Sequence, residues 1–260
     1  MRPNLLILGG TSEASALARR LAPLVARAAL RATLSYAGRV VRPAAQPLPV
    51  RIGGFGGAEG LTAYLRAERV THLVDATHPF AARMSANAVA GAAAAGVPLI
   101  ALTRPEWVAG PGDRWIRAAS VEAAAEMLAE GPLAAPARAV FLAIGRQQLA
   151  AFAAAGQHRY LVRVVDPPEG PVPLPRCEVV LARGPFDAAG DTALMRAHGI
   201  ETVVAKNAGG IAAVAKLAAA RALGLPVIMI DRPALPERAE AATPEAVLAW
   251  LGHAPTDLGV

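Results

Sequence analysis

The 260-residue sequence contains one cysteine, Cys177, and few aromatic residues, which make up 4% of the chain. A single cysteine excludes an intramolecular disulfide framework and favours the reducing cytoplasm. The arginines are scattered singly and have few aromatic neighbours, which argues against a nucleic-acid-binding surface. The five histidines are isolated and no cysteines pair with them, so no metal site is expected.

Long apolar runs are also lacking. The N-terminal run Leu5–Leu8 is too short for a signal peptide. The longest run, 88–102, is broken by Gly91, Gly96 and Pro98, so we expect no membrane segment. The net charge of +6 fits either an arginine-rich surface or a polyanionic small ligand.

Short apolar segments alternate with alanine-rich segments along the whole chain. This alternation predicts an α/β fold built on doubly wound parallel sheets. The predicted strands of the first half are 4–8, 30–36, 71–74 and 98–103, and its predicted helices are 12–24, 58–68 and 81–95.

The two halves of the chain resemble each other. Segment 96–105 aligns with 224–233, 128 residues further on, and both contain Gly-x-Pro and end in Arg-Pro. We therefore predict two Rossmann-like or flavodoxin-like domains, 1–133 and 134–260, with a cleft between them where ligands bind. An ordinary helix stop and strand start is the alternative explanation of the Gly-x-Pro pattern.

The segment Asp75-Ala-Thr-His-Pro-Phe80 is the most informative stretch. It follows a predicted buried strand and precedes a predicted helix, and ligands of open α/β sheets bind at such carboxyl ends. The alternative is a capped turn with Thr77 or His78 as the N-cap and Pro79 in the first helical turn. A cap needs only one polar residue, whereas this turn has three.

Leu8-Gly-Gly-Thr-Ser-Glu13 joins the first strand to the first helix. Glycines there let backbone N–H groups approach a phosphate, and the helix N-terminus favours an anion. The full dinucleotide fingerprint is absent, so a plain tight turn is the competing interpretation.

The second strand ends in Ser35-Tyr-Ala-Gly-Arg39, and no Asp or Glu occurs between Glu13 and Glu59. An NAD site needs an acid here for the ribose 2′-hydroxyl, whereas an arginine suits the 2′-phosphate of NADP. Either Arg39 or Arg42 could make that contact, or both could lie on the surface.

Glycine and cation clusters recur at later strand ends. Gly53-Gly-Phe-Gly-Gly57 is either a flexible turn or a place where a flat ligand lies against backbone. In the second half, Lys206-Asn-Ala-Gly-Gly210 places a lysine beside glycines, and Lys216 is the only other lysine of the chain. Arg183 follows another predicted strand.

These motifs together resemble the precorrin-6A reductases of vitamin B12 (cobalamin) biosynthesis. The resemblance is ordered and covers nearly the whole chain, and the 75–80 and 206–210 segments are its most specific parts. The motifs that carry it are Gly9-Gly-Thr-Ser-Glu13, Ser35-x-Ala-Gly-Arg39, Gly53-Gly-Phe-Gly-Gly57, Asp75-Ala-Thr-His-Pro-Phe80, Ser85-x-Asn87, Arg104-Pro105 with Trp107, Gly145-Arg146, Arg183-Gly-Pro-Phe186, Lys206-Asn-x-Gly-Gly210, Lys216 and Arg232-Pro233.

The resemblance implies that NADPH delivers a hydride to precorrin-6A and that a proton completes the reduction to precorrin-6B. The first domain would bind NADPH and the second would complete the site of a polycarboxylate tetrapyrrole, in a cytoplasmic and monomeric enzyme. The implied cofactor-binding residues are Gly9, Gly10, Thr11, Glu13, Ser35, Ala37, Gly38, Arg39, Asp75, Ala76 and Thr77. The implied substrate-binding residues are Gly54, Phe55, His78, Pro79, Phe80, Ser85, Arg104, Arg146, Arg183, Lys206, Asn207, Gly209, Gly210 and Lys216.

The sequence leaves the proton donor open among Asp75, His78, Lys206 and water. Two departures from the family pattern, Ala208 and Ala213, each remove an expected hydroxyl. Other functions stay open as well: reduction of another conjugated anion by NADPH, binding of NADP without catalysis, and binding of nucleic acid.

Overall fold

The computed structural model describes residues 2–37, 45–165, 167, 170–211 and 213–253. Strands and helices of the first part alternate largely as the sequence predicts, because most of its apolar strands are followed by a helix with one apolar face. In order they are β1 (Asn4–Leu8), α1 (Ser12–Ala26), β2 (Arg31–Tyr36), β3 (Val50–Ile52), α2 (Gly57–Ala67), β4 (His72–Asp75), α3 (Ala82–Ala95) and β5 (Leu99–Leu102).

The rest of the chain repeats this alternation, with one 3₁₀ helix in place of an α-helix. The elements are β6 (Arg114–Ala118), α4 (Val121–Ala129), β7 (Ala139–Ala143), the 3₁₀ helix Arg146–Ala154, β8 (Arg159–Val164), β9 (Cys177–Leu181), α5 (Ala188–Ala197), β10 (Thr202–Lys206), α6 (Ala215–Ala222), β11 (Pro226–Ile230), β12 (Ala239–Ala241) and α7 (Pro244–His253).

The strands form two sheets of six strands each, and their pairings are all parallel. One sheet has the order β3-β2-β1-β4-β5-β12 and the other β9-β8-β7-β10-β11-β6. The first is the 3-2-1-4-5-6 arrangement of a Rossmann fold. The second repeats the first five positions of that arrangement with β7 to β11 and has β6, its first strand in the chain, at the sixth position. The predicted α/β class with two parallel, Rossmann-like sheets is confirmed.

The first sheet is covered on both faces because side chains of a strand alternate. Leu5 and Ile7 of β1 pack in one buried cluster with α1 and α7 side chains. Leu6 and Leu8 pack in another with α2 and α3 side chains. This burial on two faces explains why β1 is continuously apolar from Leu5 to Leu8 rather than alternating.

The sixth strand of each sheet comes from the other predicted half of the chain. β6 of the second sheet lies within 1–133, and β12 of the first sheet lies within 134–260. After β5 the chain enters the second sheet, where β6 pairs with β11, and after β11 it returns to pair β12 with β5. The structure accordingly divides into unit 1, the described residues up to Pro105 and from Ala234 onward, and unit 2, Glu106–Pro233.

This division differs from the predicted single boundary between 133 and 134. Segment 106–133 belongs to unit 2 because β6 and α4 complete that unit, and the residues after Pro233 return to unit 1. The crossings follow directly after the two Arg-Pro pairs of the internal repeat, and β5 and β11 hold the same place in their sheets. The repeat therefore marks equivalent strands, as predicted, although it does not mark a simple boundary.

Candidate active site

The carboxyl ends of β1 and β4 form the point in unit 1 where strand order reverses. The strands are neighbours, and Leu8 pairs with Asp75 in their register. The loops that follow these strands lead to helices on opposite faces, which opens a crevice at this edge of the sheet. The two motifs given most weight in the sequence, 9–13 and 75–80, therefore lie side by side.

The Gly9-Gly-Thr segment is shaped to leave backbone exposed at the start of α1. Gly10 has φ +123° and open space where a Cβ would project, so a side chain there would both strain the backbone and fill that space. The Thr11 hydroxyl caps α1 by accepting from the Ala14 N–H, and it donates to the Ala76 carbonyl at 2.8 Å. One threonine thus joins the helix N-terminus to the 75–80 turn.

Glu13, in the first turn of α1, is paired with Arg104. The Arg104 Nη1–Glu13 Oε2 distance is 2.7 Å, and the side chains are 13% and 22% exposed. Burial raises the pKa of the Glu13 carboxyl, but hydrogen bonding to Arg104 and its positive charge, with further hydrogen bonds, leave this pKa below its ordinary value of 4.5. The pair brings together a predicted cofactor residue and a predicted substrate residue, and it offsets an acid near the expected phosphates.

Asp75 is buried at the end of β4 and holds the turn that follows it. Its Oδ1 accepts from the Thr77 N–H at 3.1 Å and from the Thr77 hydroxyl at 2.7 Å. Its Oδ2 accepts from Arg238 Nη1 at 2.9 Å. Arg238 was missed in the sequence, because it lies in a proline-containing segment with no motif around it.

The alternative that Thr77 or His78 caps the next helix is wrong. α3 begins at Ala82, its N-cap is Ala81, and no side chain caps it. Pro79 consequently precedes the helix instead of lying in its first turn. Thr77 binds Asp75, so its hydroxyl serves the turn.

The remaining side chains of this turn lie close to one another. His78 Nδ1 accepts from the Phe80 N–H at 3.2 Å, and the two rings are 5.9 Å apart. A proton donated by His78 must therefore leave from Nε2. Ser85, which is 3% exposed, lies 3.4 Å from the Thr77 hydroxyl, while Pro79 is buried.

Beside the end of β2, the neighbouring strand β3 carries an arginine, Arg51, to which the sequence analysis gave no role. Arg51 of β3 is opposite Ser35, donates to the Gly53 carbonyl and to the Gly54 carbonyl, and lies 3.9 Å from the centre of the Phe55 ring. Its place directly before the glycine cluster was the available signal. The predicted residues Gly38, Arg39 and Arg42 lie outside the described residues.

An open pocket of about 660 Å³ lies beside the glycine cluster. It spans the reversal point, because Ala37 follows β2 and the glycine cluster follows β3, whereas Phe80 and the residues after it follow β4. Residues from the end of β2, the loop before α2 and the start of α3 line it: Ala37, Gly54, Phe55, Gly56, Gly57, Phe80, Ala81, Ala82, Arg83, Met84 and Asn87.

Unit 2 has its own reversal point, between β7 and β10. Lys206 is the last residue of β10 and is half-buried. Arg146 is exposed and begins the 3₁₀ helix after β7, and it also lines a pocket of about 260 Å³ with mostly apolar walls. Arg183 is exposed in the segment after β9.

Two of the predicted substrate residues of unit 2 bind protein groups in this structure. Asn207 is fully buried, accepts from the Trp107 N–H at 2.8 Å and donates to Glu106 at 3.0 Å. Lys216 is 6% exposed, donates to the Ala213 carbonyl and lies 4.9 Å from the centre of the Trp107 ring. These contacts give both residues a role in shaping the loop, and their predicted contacts with a substrate stay predictions.

The same loop presents apolar side chains to the surface. Trp107 Nε1 donates to the Gly210 carbonyl at 2.8 Å, and Gly209 and Gly210 have φ +70° and +75°. The residues next in sequence to that hydrogen-bonded pair, Val108 and Ile211, are 84% and 92% exposed. An exposed apolar pair beside a strand-end lysine suits a ligand that is both flat and anionic.

The described residues contain no helix long and apolar enough to cross a membrane. They also contain no group of three His, Cys, Asp or Glu side chains arranged to hold a metal ion.

Two Rossmann-ordered sheets, with an α-helix N-terminus opened by glycines at one reversal point, define the class of nucleotide-binding α/β proteins. The comparisons then give the family: residues 4–252 match the model of the precorrin-6x reductases CbiJ/CobK. The chain belongs to this family, and the resemblance seen in the sequence is confirmed.

Individual relatives agree with the family match. The chain is 58% identical over 258 residues to the precorrin-6A reductase of Rhodobacter capsulatus, covering 99% of each chain. It is 52% identical to the precorrin-6A reductase of a Sinorhizobium species, covering 89% of this chain and 85% of the relative. A solved structure titled CobK precorrin-6A reductase matches 99% of this chain and all of that chain, with a TM-score of 0.87 and 55% identity.

Proposed function

We propose that this protein reduces precorrin-6A to precorrin-6B in cobalamin biosynthesis, with NADPH as the hydride donor. The observation that carries the proposal is the reversal point of unit 1. There the glycine-opened, threonine-capped N-terminus of α1 lies beside the 75–80 turn, in a chain of the precorrin-6x reductase family.

The residues at this reversal point fit a dinucleotide. Gly10 leaves open space at the helix N-terminus, where a pyrophosphate binds through backbone N–H groups and the helix dipole. Arg104 offsets the charge of Glu13, so the acid does not oppose a phosphate. When bound, NADPH supplies the hydride, and the protein supplies orientation and charge.

Preference for NADPH over NADH rests on the end of β2. No acid from there to Glu59 is present to hold a ribose 2′-hydroxyl, and the region contributes Arg39, Arg42 and Arg51. Bidentate arginine contacts suit a 2′-phosphate. Ser35, Ala37 and Gly38 complete this end of the proposed cofactor site.

The pocket beside the glycine cluster is proposed to take the adenosine end of the cofactor. Part of its lining, Ala37 and the glycine cluster, lies at the ends of β2 and β3, which is the adenosine side of a Rossmann sheet relative to the reversal point. This changes the predicted role of Gly54, Phe55 and Phe80 from substrate contacts to cofactor contacts. The nicotinamide end then faces the 75–80 turn.

Unit 2 supplies the cations for the substrate in this proposal. Lys206, Arg146 and Arg183 attract the carboxylates of a tetrapyrrole, since charge complementarity raises both specificity and the association rate. The exposed Val108 and Ile211 suit the apolar face of its macrocycle. His78, through Nε2, and Lys206 are the side chains proposed as proton sources, with water as the third source.

Purified protein tests the proposal when NADPH oxidation is followed with precorrin-6A and the product mass is determined. We expect turnover with NADPH, a much slower rate with NADH, and a product heavier by one hydride and one proton. Turnover of another conjugated anion but not of precorrin-6A would favour a different reductase. NADPH binding without turnover of either substrate would favour a binding protein. The cytoplasmic location and the monomeric state stay predictions.

A further inference from the structure

Arg238 connects the returning segment of the chain to the 75–80 turn. Its Nη1 lies 2.9 Å from Asp75 Oδ2, and the two side chains are 7% and 2% exposed. Its Nε lies 3.4 Å from Glu240, whose side chain is 54% exposed. Asp75 is thus the buried partner of this arginine, and Glu240 is a solvent-exposed one.

The hydrogen bonds of Asp75 define its charge state. Oδ1 faces two donors, the Thr77 N–H and hydroxyl, and Oδ2 faces the guanidinium. An ionised carboxylate is an acceptor only, and this arrangement provides donors to both of its oxygens. With the guanidinium 2.9 Å from Oδ2, this arrangement suits the carboxylate.

We propose that Arg238 is a positioning residue that holds Asp75 as a carboxylate, so that Asp75 fixes Thr77 and the 75–80 turn and does not donate the reaction's proton. The inference rests on the proposed function, in which this turn faces the nicotinamide. Thr77 carries the effect onward to Ser85 at 3.4 Å, and Ala76 is tied to Thr11 at 2.8 Å. A shift of the turn would consequently reach the N-terminus of α1.

The test compares the full-length wild type with Arg238→Gln, Asp75→Asn and the double variant. Each is assayed for kcat with precorrin-6A, for the NADPH dissociation constant and for thermal stability. We expect either single substitution to lower kcat about a hundredfold, because a misplaced reacting group costs about that much. The double variant should recover at least about tenfold over either single variant, since it leaves no buried charge unpaired and its amides can hydrogen-bond.

Recovery of kcat in the double variant distinguishes the two possible roles of Asp75, positioning residue and proton donor. If Asp75 is the proton donor, the double variant will have a kcat no higher than that of Asp75→Asn, and the proposal is overturned. It is equally overturned if only stability falls while the folded fraction keeps wild-type kcat and NADPH affinity. If Arg238→Gln does not fold, Arg238→Lys, which keeps the charge without the fork, should fold with an intermediate kcat.

Two controls complete the design. Glu240→Gln should leave kcat, the NADPH dissociation constant and thermal stability unchanged, because the Glu240 side chain is exposed. Arg163→Gln breaks a pair of similar burial in unit 2, where Arg163 and Asp191 are 11% and 3% exposed, and it should lower stability without changing NADPH affinity. Failure of the wild type to oxidise NADPH with precorrin-6A would refute the proposed function, whereas the NADPH affinities of the variants would still test the network.

Discussion

The two units share one strand order but begin it with different helices. In unit 1, α1 has 15 residues and its Thr11 cap accepts from a backbone N–H. In unit 2, the segment after β7 is a 3₁₀ helix of 9 residues, preceded by Gly145 and without a side-chain cap. Only the first arrangement presents the free N–H groups and dipole of an α-helix N-terminus.

This difference teaches that the shared topology provides a place for a ligand but not its chemistry. Unit 1 has backbone N–H groups at a helix N-terminus, which suit a pyrophosphate. Unit 2 has long cationic side chains at the corresponding edge, Arg146 and Lys206, which suit carboxylates spread over a larger ligand. The proposal that unit 1 binds the cofactor and unit 2 supplies cations for the substrate follows from this contrast.

The largest expected effect is the loss of kcat/KM for the substrate when a cation of unit 2 is removed. Lys206→Ala should lower kcat/KM for precorrin-6A by up to about a hundredfold, because a hydrogen bond to a charged group is lost. NADPH affinity should stay within about twofold, since Lys206 belongs to the unit proposed to bind the substrate and not to the unit proposed to bind the cofactor. Steady-state kinetics and cofactor titration measure the two quantities. Arg114→Ala, at the amino end of β6, is the control and should change neither quantity, and a wild-type kcat/KM in Lys206→Ala would contradict the contrast.

The next effect concerns cofactor choice in unit 1. Arg39→Ala should raise KM for NADPH at least about tenfold while changing KM for NADH little, because only NADPH carries the 2′-phosphate. Equal effects on the two cofactors would remove Arg39 from this role. Arg51→Ala, assayed in the same way, shows whether the neighbouring arginine acts directly or by holding the glycine loop.

A smaller effect separates helix capping from cofactor binding. Thr11→Val and Ser120→Ala each remove a cap, on α1 and α4 respectively, and each should cost about 1 kcal/mol of stability. Only Thr11→Val should also weaken NADPH binding, by about two- to tenfold. Chemical denaturation and fluorescence titration provide the numbers. Identical cofactor affinity in the two variants would show that Thr11 is only a cap.

The smallest expected effect is a pH dependence from Glu13. Its folded-state pKa is lowered, so the stability that it contributes is present above its unfolded pKa of about 4.5 and is lost as the pH falls through the folded value. Wild type should therefore lose its stability advantage over Glu13→Gln below about pH 4.5, within about 1 kcal/mol for a partly exposed pair. Unfolding free energies are measured for both proteins across that pH range. A difference between them that does not change with pH would contradict the pairing with Arg104.

Local patterns predicted most of the individual elements, because each needs only its own apolar period and end signals. The strand Asn4–Leu8 has its predicted bounds, and the predicted helix 81–95 was one residue too long at its start. β6 and β12 were not predicted, since Arg-Trp-Ile-Arg-Ala and Ala-Glu-Ala have little strand character of their own. They become strands by pairing with β11 and β5, which is tertiary information.

Residues of the candidate site also fall into those that a local pattern marks and those that only the tertiary structure reveals. Gly9, Thr11 and the 75–80 turn could be found because glycines and polar residues interrupt an apolar sequence at strand ends. Arg238 could not, because its partner Asp75 lies 163 positions away in the chain and no local pattern marks the pair. Asn207 and Lys216 looked like ligand contacts from their motif, but a motif does not show whether a polar atom is already bound by protein.

The exchanged sixth strands have a consequence for the order in which the protein can be completed during its synthesis. Unit 2 is one continuous segment, 106–233, so all six of its strands have been translated before β12 has. Unit 1 begins first but acquires Arg238 and its last strand, Ala239–Ala241, only after unit 2 has been translated. Domains generally fold as units while the chain emerges, starting from the N-terminus, and here the N-terminal unit must wait. A chain released after residue 233 should therefore contain a protease-resistant unit 2 and an incomplete form of the proposed nucleotide site.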